Sequence, residues 1–221
     1  SRSKKRVGLI LSVPRRYLEI GGAHSFPSEV LLEFLQNHDR LEEFHASPVP
    51  VLDEEIIAAI GSLANLRHLS LGHSYNTDLH FDELGNLTNL ESLRLNLTVN
   101  KCARVTDEMM YTLASTQREL ESISIQECSA ITSKGVSALA WLRNIHLLRE
   151  VDVSRNRNVD DTVVRNLHTA LVTSAKRHRS PSTDSKTEVD NEPHKKLVMY
   201  IFDTSISRAV EQEVKDWITL C

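Results

Sequence analysis

"LESISIQECSAITSKGVSALAWL", Leu120 to Leu142, changes period in its middle. Leu120 to Ile125 alternates apolar and polar residues, the spacing of a half-buried strand. From Ile131 onward the apolar residues recur at helical spacing, three or four apart. Cys128 and Thr132 sit at the changeover, and threonine is a good helix N-cap. The stretch therefore predicts a short strand, a tight turn and a helix, one supersecondary unit with a single apolar side. Such a unit cannot bury that side by itself, so copies of it should stand beside it.

The copies are there. "CARVTDEMMYTLA" from Cys102 and "NRNVDDTVVRNLH" from Asn156 repeat the turn and the helix. The strand recurs as "LEEFHA" from Leu41, "LRHLSL" from Leu66, "LESLRL" from Leu90 and "LREVDV" from Leu148. "RRYLEI" from Arg15 and "LVMYIF" from Leu197 look like end copies. Starts at 41, 66, 90, 120 and 148 lie 25, 24, 30 and 28 residues apart. At the turn after each strand, a buried Asn or Cys can satisfy backbone groups left free where the ladder stops. This gives Cys102, Cys128 and Asn156 structural turn roles, with no reactive thiol among them.

"CSAITSKGVSALA" strongly resembles the cysteine-containing leucine-rich repeats of F-box substrate receptors and their relatives, and "CARVTDEMMYTLA" is a looser copy. The resemblance implies a right-handed α/β solenoid, a horseshoe with parallel strands on the concave face and helices on the convex face. About seven repeats are expected. Residues 1–14 form a tail or capping segment, 15–172 the repeats, 173–196 a disordered insertion, and 197–221 the last repeat and cap. The insertion follows from composition, since Ser174 to Lys196 is rich in Ser, Thr and charge and lacks aliphatic periodicity. In the last segment, Ile206, Val210, Val214 and Trp217 fall on one face of an expected terminal helix.

Other readings of the chain are weaker. A formal net charge of −4 argues against general nucleic-acid binding. Three cysteines without a C-x-x-C pair make neither a disulfide framework nor a zinc motif, and they fit an intracellular, cytoplasmic or nuclear, compartment. No apolar run approaches the roughly 18 residues of a membrane span. His68, His73 and His80 lack metal-ligand spacing, so neither metal nor cofactor is expected. "FPSEVLLEFLQNH", Phe26 to His38, resembles the start of an F-box, but the next strand at Leu41 leaves no room for one. No catalytic motif is present, and the chain reads as a non-enzyme. Ser180, before Pro181 and after Arg177 and Arg179, is a candidate phosphosite.

Function is then expected on the concave face, where residues between the leucines point away from the core. One column runs Glu42, Arg67, Glu91, Glu121 and Arg149. Beside it run Glu43, His68, Ser92, Ser122 and Glu150, then His45, Ser70, Arg94, Ser124 and Asp152. Tyr17, Met199 and Ile201 are expected to add apolar or aromatic surface at the two ends. The expected partner-binding set is Tyr17, Glu43, His45, Arg67, His68, Arg94, Arg149, Asp152, Met199 and Ile201. The resemblance implies a ubiquitin-ligase substrate receptor or adaptor with protein partners. The alternative is a scaffold subunit of a larger complex, a ribonucleoprotein included.

Overall fold

The computed structural model describes residues 16–21, 27–47, 52–72, 82–96, 105–178 and 195–221. Cys102, Ser180, residues 1–14 and most of the expected insertion lie outside them. Eight strands form one sheet in sequence order, every neighbouring pair parallel. They are β1 (Tyr17–Gly21), β2 (Glu43–Ser47), β3 (His68–Gly72), β4 (Ser92–Asn96), β5 (Ser122–Gln126), β6 (Glu150–Asp152), β7 (Leu197–Tyr200) and β8 (Ile218–Leu220). The returns carry α1 (Ser28–Gln36), α2 (Glu54–Gly61), α3 (Asp107–Thr116), α4 (Ser133–Ser137), α5 (Asp161–His178) and α6 (Glu211–Val214). In the short repeat after Leu66 the return is a 3-10 turn, Asp82–Asn86. Consecutive returns pack on one another, so one face of the sheet is covered and the other is open. The architecture is that of a leucine-rich-repeat-like solenoid.

The motif leucines hold it together. Leu41, Leu66, Leu90, Leu120 and Leu148 are each at most 2% exposed. Two further buried positions follow in every copy and lie side by side in the strand register. The first runs Phe44, Leu69, Leu93, Ile123 and Val151, and the second includes Ala46, Leu71, Leu95 and Ile125. Each full burial of such a side chain is worth about 1.5–3 kcal/mol, and no single repeat could assemble the column. The helices start where threonine and aspartate cap them. Asp53 accepts from the Ile56 amide at 2.8 Å, and Thr106 and Thr132 cap α3 and α4.

Side-chain amides stitch each repeat to the one before it. Asn65 donates to the Asp39 carbonyl at 3.0 Å, Asn89 to Ala64 at 2.8 Å and Asn144 to Arg118 at 3.0 Å. Gln117, buried, donates to the Leu87 carbonyl in the same manner. Between α3 and α4 the Asp107 carboxylate accepts from both the amide and the hydroxyl of Thr132, at 2.8 and 2.6 Å. Gly135 allows that approach, because a Cβ there would collide with Asp107. A second, larger joint lies at the turn after β5. Cys128 is fully buried, its amide donating to Asn156 Oδ1 at 2.7 Å and its thiol to the Gln126 carbonyl at 3.3 Å.

Cys128→Ala should therefore destabilise by about 1–3 kcal/mol through a small cavity and a lost thiol bond. The amide bond to Asn156 survives that change, which keeps the loss modest. In a Cys102→Ser background, a thiol reagent should label exposed Cys221 quickly and Cys128 only on unfolding. Fast labelling at two sites in the native state would refute the buried structural role.

Three expectations need correction. Met199 and Ile201 do not face outward: Met199 is 0% and Ile201 7% exposed. Register places Val198 beside Glu150 and Tyr200 beside Asp152, so the outward residues of β7 are Val198 and Tyr200. The motif begins one residue earlier than "LVMYIF" suggests, and a one-residue slip exchanges the two faces of a strand. The terminal segment is not one long helix either. Ile206, Val210 and Val214 are buried as expected, but the chain turns at Val214–Trp217 and ends as β8, with Ile218 and Leu220 buried. Thirdly, α5 continues to His178, so residues 173–178 of the expected insertion are helical. Its Arg165 is forked on Glu213 of α6 at 2.9 and 3.1 Å, which holds that carboxyl below its ordinary range. Within "FPSEVLLEFLQNH" Ser28–Gln36 forms one helix, α1, and six residues then lead to β2.

Candidate partner-binding face

Strand register sets the expected columns side by side on the open face. Tyr17, Glu43, His68, Ser92, Ser122, Glu150 and Val198 form one continuous row across seven strands. Glu19, His45, Ser70, Arg94, Ser124, Asp152 and Tyr200 form the next. The column at Glu42, Arg67, Glu91, Glu121 and Arg149 is tied laterally by backbone bonds of 2.7–2.8 Å from each residue to its predecessor. Within it, opposite charges pair across repeats. Arg16 bridges Glu42 at 2.9 Å, and Arg67 Nε lies 2.6 Å from Glu91 Oε1. That hydrogen bond raises the Arg67 pKa further above its already high value. Much of this column is thus self-neutralised along the edge of the face.

The next two rows carry the available chemistry. His45 and His68 each approach a carboxylate, Glu43 at 3.7 Å and Glu91 at 3.6 Å. Together with Ser70, Ser92 and Arg94 these imidazoles surround a depression of about 330 Å³. Arg94 is exposed and, like Arg149, forms no ion pair with a described residue. At the N-terminal end Tyr17 is 51% exposed, its ring 5.6 Å from that of His45. Its hydroxyl donates to Glu19 at 2.6 Å, and this bond, with burial and nearby carboxylates, raises the phenol pKa. Towards the C-terminus Asp152 is held by Gln126 and Ser124, and the exposed aromatic surface is Tyr200 (40%) and Phe202 (69%).

Sequence reasoning missed Phe202 and the turn that displays it. Glu127, Arg155 and Asp203, equivalent in three successive repeats, all adopt positive φ, at 58°, 65° and 53°. Left-handed backbone costs a non-glycine residue roughly 1–2 kcal/mol, and here each turn is followed by a hydrogen-bonded Cys128, Asn156 or Thr204. Arg155 bridges Glu127 at 3.3 Å, and Arg157 is forked on Asp203 at 3.1 Å. The only textual sign was the spacing from the strand to Asn156.

Among the described residues no group of three His, Cys, Asp or Glu side chains could hold a metal ion. None of the described helices is long and apolar enough to cross a membrane. No protein-family model matches the chain, and neither does the sequence of any curated protein. In fold it is similar to a chain in the crystal structure of the Rad7 and Elc1 complex in yeast, with a TM-score of 0.56 and 20% identity. That match covers 87% of this chain but only 43% of the other, so the chain spans less than half the length of its structural neighbour.

Proposed function

We propose that this chain is a non-enzymatic protein-recognition module that reads its partner on the open, concave face of the sheet. The observation that carries the reading is the unbroken row of outward side chains across seven strands. On it and the row beside it lie Arg94, which forms no ion pair with a described residue, at the edge of a depression, and Tyr17 and Tyr200 at opposite ends. A rigid frame of this kind presents many side chains without ordering them on binding, which lowers the entropic cost of association. Arg and Tyr are also the residue types that dominate interface energetics. The structural neighbour comes from a two-protein complex, and the repeats resemble those of F-box receptors. Both favour a ubiquitin-ligase substrate receptor or adaptor, working inside the cell, over an enzyme.

The test replaces Arg94 and Arg149 and leaves the Arg67–Glu91 bridge in place. Arg94→Glu with Arg149→Glu should keep the circular-dichroism spectrum, while its main partner co-purifies from native extract about tenfold less, as expected for hot-spot loss. Undiminished co-purification would place recognition elsewhere on the molecule.

A further inference from the structure

The helical side carries a second surface that the open-face reading leaves unused. A groove of about 640 Å³ runs between α5 and the segment Ala138–Leu147, which holds two 3-10 turns. Trp141 stands at its edge, 67% exposed. That exposure is not disorder of a loose side chain, since the indole stacks on Tyr111 of α3 with centroids 5.6 Å apart and planes inclined by 25°. Ala140, Leu142 and Ala170 supply an apolar lining.

The polar lining is selective. Asn166 donates to Ser137 at 3.0 Å, and the Thr169 and Thr173 hydroxyls donate to carbonyls of their own helix. These groups are satisfied. Arg143 and Arg177 are not: both are exposed and neither forms an ion pair with a described residue. Nearby Arg157 and Arg165, by contrast, are each forked on a carboxylate. Among the described residues no acidic side chain lines the groove, in a chain whose formal charge is −4. A preorganised aromatic beside two guanidiniums that no described carboxylate pairs with is the composition of an interface hot spot.

We infer that this groove docks a short acidic amphipathic segment of a partner protein. An apolar side chain of that segment packs on Trp141 and the alanine-lined floor, and its carboxylates meet Arg143 and Arg177. Complementary charge fixes the orientation and speeds encounter. The site lies on the face opposite the open sheet, so the chain can hold two proteins at once, and it stands or falls independently of the open-face reading.

Random peptides of about 12 residues, long enough for three helical turns in a groove, are displayed and selected on the full chain. They are counter-selected on a Trp141→Ala, Arg143→Glu, Arg177→Glu variant. The expected result is enrichment of peptides with Asp or Glu flanking Leu, Ile or Phe. In a Trp217→Phe background, a synthetic copy should shift the remaining indole fluorescence. Its affinity should fall about tenfold or more in Arg143→Glu, Arg177→Glu, which keeps Trp141 and leaves the core untouched, and should be unchanged in Arg94→Glu. No enrichment, enrichment of basic peptides, or binding retained by the double variant overturns the proposal. So does concentration-dependent self-association abolished by Trp141→Ala, which would make the occupant a second copy. Peptide binding seen only after deletion of residues 179–194 overturns it as well, since the occupant is then the chain itself.

Discussion

Replacing Asn156 by alanine should destabilise the protein by about 3–5 kcal/mol, several times a typical surface change. Asn156 is only 1% exposed although it sits in a turn. Its Oδ1 accepts from the Cys128 amide at 2.7 Å, and its Nδ2 donates to the carbonyls of Ile125 at 2.6 Å and Val153 at 2.9 Å. One side chain therefore satisfies backbone groups of two consecutive repeats where the sheet ladder has ended. Alanine leaves a buried N–H and two carbonyls without that partner, and each orphaned group costs about 1–3 kcal/mol, reduced where other bonds remain. Aspartate should be no better, since it keeps the acceptor, loses both donors and adds a charge in a dry site. Urea denaturation measures the loss, and a midpoint barely moved for Asn156→Ala would mean that water replaces the amide. Cys128→Ala serves as the internal comparison, because that change keeps the amide bond to Asn156 and removes only the thiol.

The contrast also explains which parts of the fold can be read from the residues. Leu41, Leu66, Leu90, Leu120 and Leu148 recur at near-constant intervals because every copy must bury the same position, and burial writes directly into residue type. The turn asparagine and cysteine are legible for the same reason: few side chains fill that site. Asn65, Asn89 and Asn144 were harder to see, though Asn65 and Asn89 each directly precede a motif leucine. An exposed amide that bonds a neighbouring loop looks like any polar loop residue until the loops are side by side. On the open face, residue types alone could not say that Arg67 is engaged by Glu91 while Arg94 forms no ion pair with a described residue. Pairing there depends on lateral neighbours 24 or more residues away in sequence. Trp141 was hidden differently. It falls at the end of an apolar helical pattern, where a core position is the natural expectation, yet the helix tightens into a 3-10 turn at Ala138–Trp141 and rotates the indole outward.

Strand β7 offers the sharpest discrimination between pattern and structure. In "KKLVMYIF" a motif begun at Leu197 puts Met199 outward and Tyr200 inward, whereas pairing with β6 puts Met199 beside buried Val151 and Tyr200 beside Asp152. The ambiguity is physical: a short run apolar at nearly every position has no alternation to fix its register, and β7 is covered on one side only at Leu197 and Met199. Met199→Asp should then cost about 4 kcal/mol or more, since an unpaired carboxylate replaces a side chain with no exposed surface. Loss on that scale should melt the last repeat or the whole chain at ordinary temperature. Tyr200→Asp should change stability by no more than about 0.5–1 kcal/mol, because the ring is 40% exposed and the backbone bond from Val153 to the Tyr200 carbonyl does not depend on the side chain. Thermal melts of the two variants decide the register, and equal or reversed losses would restore the one-residue shift. Partner binding separates them again. Tyr200 and Phe202 are the aromatic end of the recognition face, so Tyr200→Asp should weaken association while leaving a folded protein. The surface lost at Met199 is recovered one residue on, which keeps an aromatic anchor at each end of the same row of strands.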